Sequence, residues 1–247
     1  MLYEAIFKRK SVRQYQTEPL PQSELDQILA YSQTIQPLLP EIKTKFLIVG
    51  GGEVRTLITG KPPHYILLFS EEKSGFAENA GFMIEQMELY LSASGYGSCL
   101  IGLVSQEERL EAELGLTCVI TIALGRSAEP SLRENPADFK RRTVEQFSQS
   151  QKFTSLLEVA RLSPSFLNRQ PWFVVESDNS LLLYRKTTEN APAMKTNNVN
   201  DIDMGVFMLQ LKLAAEASGY EIAFTLERNQ PNYQEYSYIG RADLKKI

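Results

Sequence analysis

The 247-residue sequence predicts an α+β protein built from two diverged copies of one half, and three observations lead there. First, residues 81–96 (GFMIEQMELYLSASGY) and 205–220 (GVFMLQLKLAAEASGY) align without gaps. They agree at seven of sixteen positions: Gly81, Gln86, Leu89, Ala93, Ser94, Gly95 and Tyr96. Second, two short apolar runs precede each segment, 45–49 and 65–69 in the first half, 172–175 and 181–184 in the second. Third, a stretch rich in Ser, Pro, Glu, Arg and Gln, residues 126–151, stands between the copies as a connector. A repeat of about 120 residues is far too long for a solenoid. It suggests a fused dimer, with one chain supplying both members of a two-fold pair.

Each element has its own signal. Ala80, Met83, Ile84, Met87 and Leu91 recur at helical spacing, and Gly95 and Gly219 stand where a helix ends on a left-handed residue. The second helix is apolar on more of its circumference, which predicts a deeper position. The short apolar runs, with 118–124, have the length of buried strands. Order in both copies is helix, strand, strand, long helix. Gly50-Gly51-Gly52 does not match GxGxxG and reads as a turn. The halves divide as 1–147 and 148–247.

Composition narrows the function. A net charge of −4 offers nucleic acid no basic face. The start Met1-Leu2-Tyr3-Glu4 lacks the pattern of a secretory signal, and no apolar run approaches the roughly 18 residues of a membrane span. Cys99 and Cys118 are the only cysteines, without metal-like spacing, and read as buried free thiols suited to a reducing cytoplasm. The single His64 cannot build a histidine-rich metal site, so no metal is expected.

Two segments carry polar chemistry. In Arg9-Lys10-Ser11-Val12-Arg13, residues 9, 11 and 13 alternate, so an extended backbone would point all three the same way. Two guanidinium forks and a hydroxyl suit a phosphate, although short basic clusters also occur as solvated surface. Ser163-Pro164-Ser165-Phe166-Leu167-Asn168-Arg169-Gln170-Pro171-Trp172 leads from a helical pattern into a strand. Read alone, it is a capped turn with Trp172 anchoring the core.

Together, RxSxR near the start, PSxxNxQPW entering a strand, and a glycine-opened helix ending in ASGYGSCLIG resemble the FMN-dependent nitroreductase family. They resemble above all a divergent group with two nitroreductase-like halves fused in one chain. The resemblance spans nearly the whole sequence, thinning after about residue 225. It implies two tandem α/β halves forming an intramolecular pseudo-dimer, hence a monomer in solution. It also implies FMN as cofactor and NADH or NADPH as hydride donor. Arg9, Ser11 and Arg13 would hold the phosphate, reinforced by Arg141 and Arg142. Asn79, Ala80 and Gly81 would pass along the flavin ring, with Pro164, Ser165 and Asn168 approaching from the other half. Phe166 departs from the family's second serine, and Ala80 from a position often polar or acidic.

The motifs are unevenly kept. The first half has RxSxR but only Ser32-Gln33-Thr34-Ile35-Gln36-Pro37 where the turn should fall; the second half has the turn but neither arginine. Losing two charge-assisted contacts costs about 3–6 kcal/mol. That is about two to four powers of ten in affinity, so one FMN per chain is expected. The implied activity is that of a NAD(P)H oxidoreductase acting on a nitro or quinone-like acceptor. Because the flavin carries that chemistry, no catalytic side chain is required. The alternatives are a flavin-binding or sensing protein without turnover, and a degenerate member that binds no flavin.

Overall fold

The computed structural model describes residues 2–53, 60–102, 107–187 and 196–247. These divide into two compact units: Met1–Phe76 with Met83–Asp138, and Ala77–Phe82 with Phe139–Ile247. The division falls inside the connector. Residues 139–147 join the second unit because Phe147 is fully buried there, edge-on to Phe207 at 6.2 Å between ring centroids.

In the first unit, a short helix α1 (Leu2–Ile6) and α2 (Gln22–Ser32) precede strands β1 (Thr44–Gly50) and β2 (His64–Ser70). The helix α3 (Phe76–Ala93), β3 (Gly97–Ile101), α4 (Glu107–Leu114) and β4 (Thr117–Gly125) follow. The sheet runs β1-β2-β4-β3, antiparallel throughout. Every residue of β2 is buried, which explains its unbroken apolar run. Tyr65, Leu67 and Phe69 pack with Cys99, Ile101, Cys118 and Ala123 on one face, under Leu110 and Leu114 of α4. Gly50–Gly52 leads into a single 3-10 turn, as the sequence suggests.

In the second unit, α5 (Thr154–Ala160), β5 (Trp172–Ser177), β6 (Ser180–Lys186), α6 (Thr196–Ala217), β7 (Tyr220–Leu226) and β8 (Tyr236–Lys246) repeat that order, without a counterpart of α4 among the described residues. The sheet order is β5-β6-β8-β7, the same permutation as in the first unit. Both sheets carry a register shift in the same strand pair, at Leu68/Phe69 and at Leu183/Tyr184. The helices end as expected, on Gly95 at φ +80° and Gly219 at φ +75°. Residues 201–211 of α6 are all buried. Trp172 is fully buried and stacks on Phe207 at 5.0 Å.

Two paired glycines set the second unit's core. A Cβ on Gly81 would strike the carbonyl oxygen of Ile202, and one on Gly205 that of Glu78, with the amide of Phe82 at 2.7 Å. Under the sequence repeat, 81 corresponds to 205 and 78 to 202, so these two contacts are images of each other. The first turn of α3 therefore crosses α6 about a local two-fold relation, backbone against backbone, where only glycine fits.

Candidate functional site

In the first unit, the RxSxR segment is extended, bridging Leu132 at Arg9 and Ser98 at Ser11. Arg9 is only 1% exposed. Its Nη2 and Nε donate to Glu88 Oε1 on α3 at 2.6 and 3.1 Å, and Nη2 also reaches Ser11 Oγ at 3.1 Å. Arg13 is exposed and forms no ion pair among the described residues. The three side chains share surroundings at the Cys99 thiol: burial and Glu88 push its pKa up, while Arg13, Arg9 and a Ser11 hydrogen bond oppose the rise. Expected alike as phosphate ligands, the two arginines differ. Arg9 is committed to a buried carboxylate, whereas Arg13, beside the Ser11 hydroxyl, keeps donors that fit a phosphate.

The second unit contains the Pro-Ser…Asn turn. Leu167, Asn168 and Gln170 adopt left-handed backbone at φ +50°, +57° and +51°. Such values are unusual outside glycine, because Cβ then crowds the following carbonyl. A dense network holds the turn. The Phe166 amide donates to both oxygens of the buried Asp203 at 3.1 Å, and the Gln170 amide to Ser165 Oγ at 2.9 Å. Arg141 donates to the Ser163 carbonyl at 2.9 Å and to Asn168 Oδ1 at 2.7 Å; Asn168 Nδ2 donates to the Lys140 carbonyl at 2.8 Å. Arg142 donates to the carbonyls of Gln170 and Trp172. Arg141 and Arg142, expected beside a phosphate, thus have their guanidinium groups on this turn: the chain folds 139–147 into the second unit, and that carries both side chains to its carbonyls. Pro164 is buried, Ser165 partly so, and Asn168 exposed. Ser163 Oγ and Trp172 Nε1 are buried without a hydrogen-bond partner among the described residues.

Asn79 and Ala80 are fully buried at the opening of α3, and Gly81 lies in the helix crossing described above. Helix packing by itself accounts for glycine at 81.

A family model described as "Putative TM nitroreductase" matches residues 1–215. The chain belongs to that nitroreductase family. Among solved structures, the "putative nitroreductase" of Thermotoga maritima MSB8 shares the fold over 98% of this chain and 92% of its own, at 20% identity and a TM-score of 0.67. A Desulfovibrio desulfuricans "putative nitroreductase" in complex with FMN matches 62% of this chain and 97% of its own (20% identity, TM-score 0.46). An FMN-dependent nitroreductase of Clostridium difficile R20291 matches 55% and 93% (20% identity, TM-score 0.45). No curated protein matches. No helix among the described residues of this nitroreductase-family chain is long and apolar enough to cross a membrane, and they contain no metal-like cluster.

Two features of this nitroreductase-family chain escape sequence reasoning. The basic residue after β4 that reaches RxSxR is Arg133, whose guanidinium donates to the Arg9 carbonyl while its amide bonds Lys8. Burial, then the like charge of Arg9, lowers its pKa. Its only sequence signal is a lone arginine inside the connector. The second feature is a buried carboxyl pair in the second unit, Glu78 and Asp201. Arg228 Nη2 lies 2.7 Å from Glu78 and 3.8 Å from Asp201, and Arg185 Nε lies 3.0 Å from Asp201. Burial first, then the charge of Asp201, pushes Glu78 up to about 7, against the pull of Arg228. His64, by contrast, has a structural role: its Nε2 accepts the Leu20 amide at 2.9 Å, and burial lowers its pKa.

The Glu78 shift has a testable sign. A carboxyl whose folded pKa is raised binds its proton more tightly when folded. Its stabilising contribution is complete below the ordinary value of 4.5 and is lost as pH rises through about 7. We expect Glu78→Gln to gain Tm relative to the parent as pH rises across this window. Thermal melts at several pH values check this; parallel curves would show that Glu78 ionises normally.

Proposed function

We propose that this chain is an FMN-dependent NAD(P)H oxidoreductase with one flavin site per chain. The observation that carries the reading is the RxSxR segment, kept with an exposed Arg13 in a chain of the nitroreductase family. When bound, FMN supplies the redox chemistry, taking a hydride from NADH or NADPH and reducing a nitro or quinone-like acceptor. The protein's own residues bind and orient. Ser11 and Arg13 take the phosphate. Arg9 holds Ser11 in place through its 3.1 Å hydrogen bond, while its own charge is met by Glu88. The family resemblance gives the ring edge to Asn79, Ala80 and Gly81, and the ring face to Pro164, Ser165 and Asn168. Arg141 and Arg142 act there by fixing the turn. The polar atoms of Ser163 and Trp172, left over beneath that turn, fit a neighbour rich in hydrogen-bonding groups.

The count of one rests on the two incomplete motif sets. We also propose that the fused halves make a monomer, which sedimentation would check. Absorbance of FMN released by denaturation, set against protein concentration, should give close to one flavin per chain. Two would overturn the complementary-loss argument, and protein that stays colourless with excess FMN would overturn the flavin reading. Tight FMN binding without NAD(P)H oxidation, using a nitroaromatic or quinone acceptor, would leave a flavin-binding protein without turnover.

A further inference from the structure

The turn from Ser163 to Trp172 is held more firmly than a link between a helix and a strand requires. Glycine would adopt its three left-handed positions without strain, yet they are Leu167, Asn168 and Gln170. The buried Asp203 fixes the Phe166 amide, and Arg141 and Arg142 fix the flanking carbonyls, so the conformation is determined from several sides. Non-glycine residues held in such regions collect at ligand-binding sites.

What this conformation presents is specific. Leu167 projects with 73% of its surface exposed. The Arg169 guanidinium lies 5.4 Å from the centroid of the Phe166 ring. Arg169 is exposed and has no ion pair among the described residues, while Asp203, whose carboxylate its charge favours, is buried against the Phe166 amide. An apolar surface and an aromatic ring therefore adjoin a cation that pairs with no carboxylate among the described residues.

We propose that Phe166, Leu167 and Arg169 form a recognition platform for a planar aromatic ligand bearing a carboxylate. A guanidinium presents paired donors matched to a carboxylate and tolerates stacking, while Leu167 and Phe166 shield the ligand's apolar body from water. That this ligand is the electron acceptor rests on the flavin reading; the recognition itself does not.

The test uses the purified full chain and three probes of one shape: 4-nitrobenzoate, 4-nitrobenzyl alcohol and 4-nitrobenzylamine. By calorimetric titration the carboxylate should bind about tenfold more tightly than the alcohol, as for one solvent-screened charge-assisted contact, and the amine more weakly still. Arg169→Gln should remove this preference, and Leu167→Gly should weaken all three alike. Equal binding of the probes, binding of none, or a preference that survives Arg169→Gln would overturn the platform. Flavin absorbance on the same samples separates the two readings. Protein that stays flavin-free with excess FMN yet keeps the preference refutes only the flavin site, and flavin-loaded protein without the preference refutes only the platform.

Discussion

Gly205→Val should abolish the native fold at ordinary temperatures. A side chain there has no room, because its first carbon already falls on the Glu78 carbonyl and close to the Phe82 amide. These are backbone atoms inside helices and cannot swing aside as a flexible side chain can. Overpacking a well-packed core costs about 1–3 kcal/mol where side chains can adjust. Backbone against backbone should exceed that, and a domain has only about 5–15 kcal/mol to lose. Gly81→Val should behave alike, because Gly81 meets the Ile202 carbonyl in the mirrored contact. Circular dichroism melts would check both. A Gly205→Val protein melting within a few degrees of its parent would show that the crossing opens at little cost. Gly52, whose Cβ would meet nothing within 4 Å among the described residues, is the matched control; Gly52→Val should change Tm little.

Arg13→Ala should weaken FMN retention about tenfold to a hundredfold, the value of one charge-assisted contact of about 1.5–3 kcal/mol. The structure singles out Arg13 because its guanidinium is exposed and has no ion pair among the described residues, whereas Arg9 is enclosed with Glu88. Arg9→Ala should act differently, lowering Tm by stranding a buried carboxylate, since breaking a buried pair costs about 3–5 kcal/mol. Arg185, outside every motif, would look on sequence grounds like a neutral comparison. Its position against the buried Asp201 makes Arg185→Ala destabilising instead. The suitable control is Arg241→Ala, whose ion pair with Asp243 is half exposed and worth about 1 kcal/mol at most. Equilibrium titration with FMN, read by fluorescence quenching, would decide. Equal losses for Arg13→Ala and Arg241→Ala would remove Arg13 from the phosphate role.

The amino-acid sequence by itself determined the duplicated order of elements, the helix-ending glycines at 95 and 219 and the buried strands. These follow from periodicity and backbone preference, which act between residues close along the chain. It also marked 163–172 as a turn, but not its three left-handed residues, whose conformation depends on Asp203, Arg141 and Arg142. Tertiary structure alone decided how each arginine is used. Arg9 meets Glu88 seventy-nine positions away, Arg133 rather than Arg141 reaches the RxSxR strand, and Glu78 meets Arg228 across 150 positions. A guanidinium reads the same in any sequence. Its charge is stabilised, spent or left available by the neighbours and the dielectric that long-range packing brings to it.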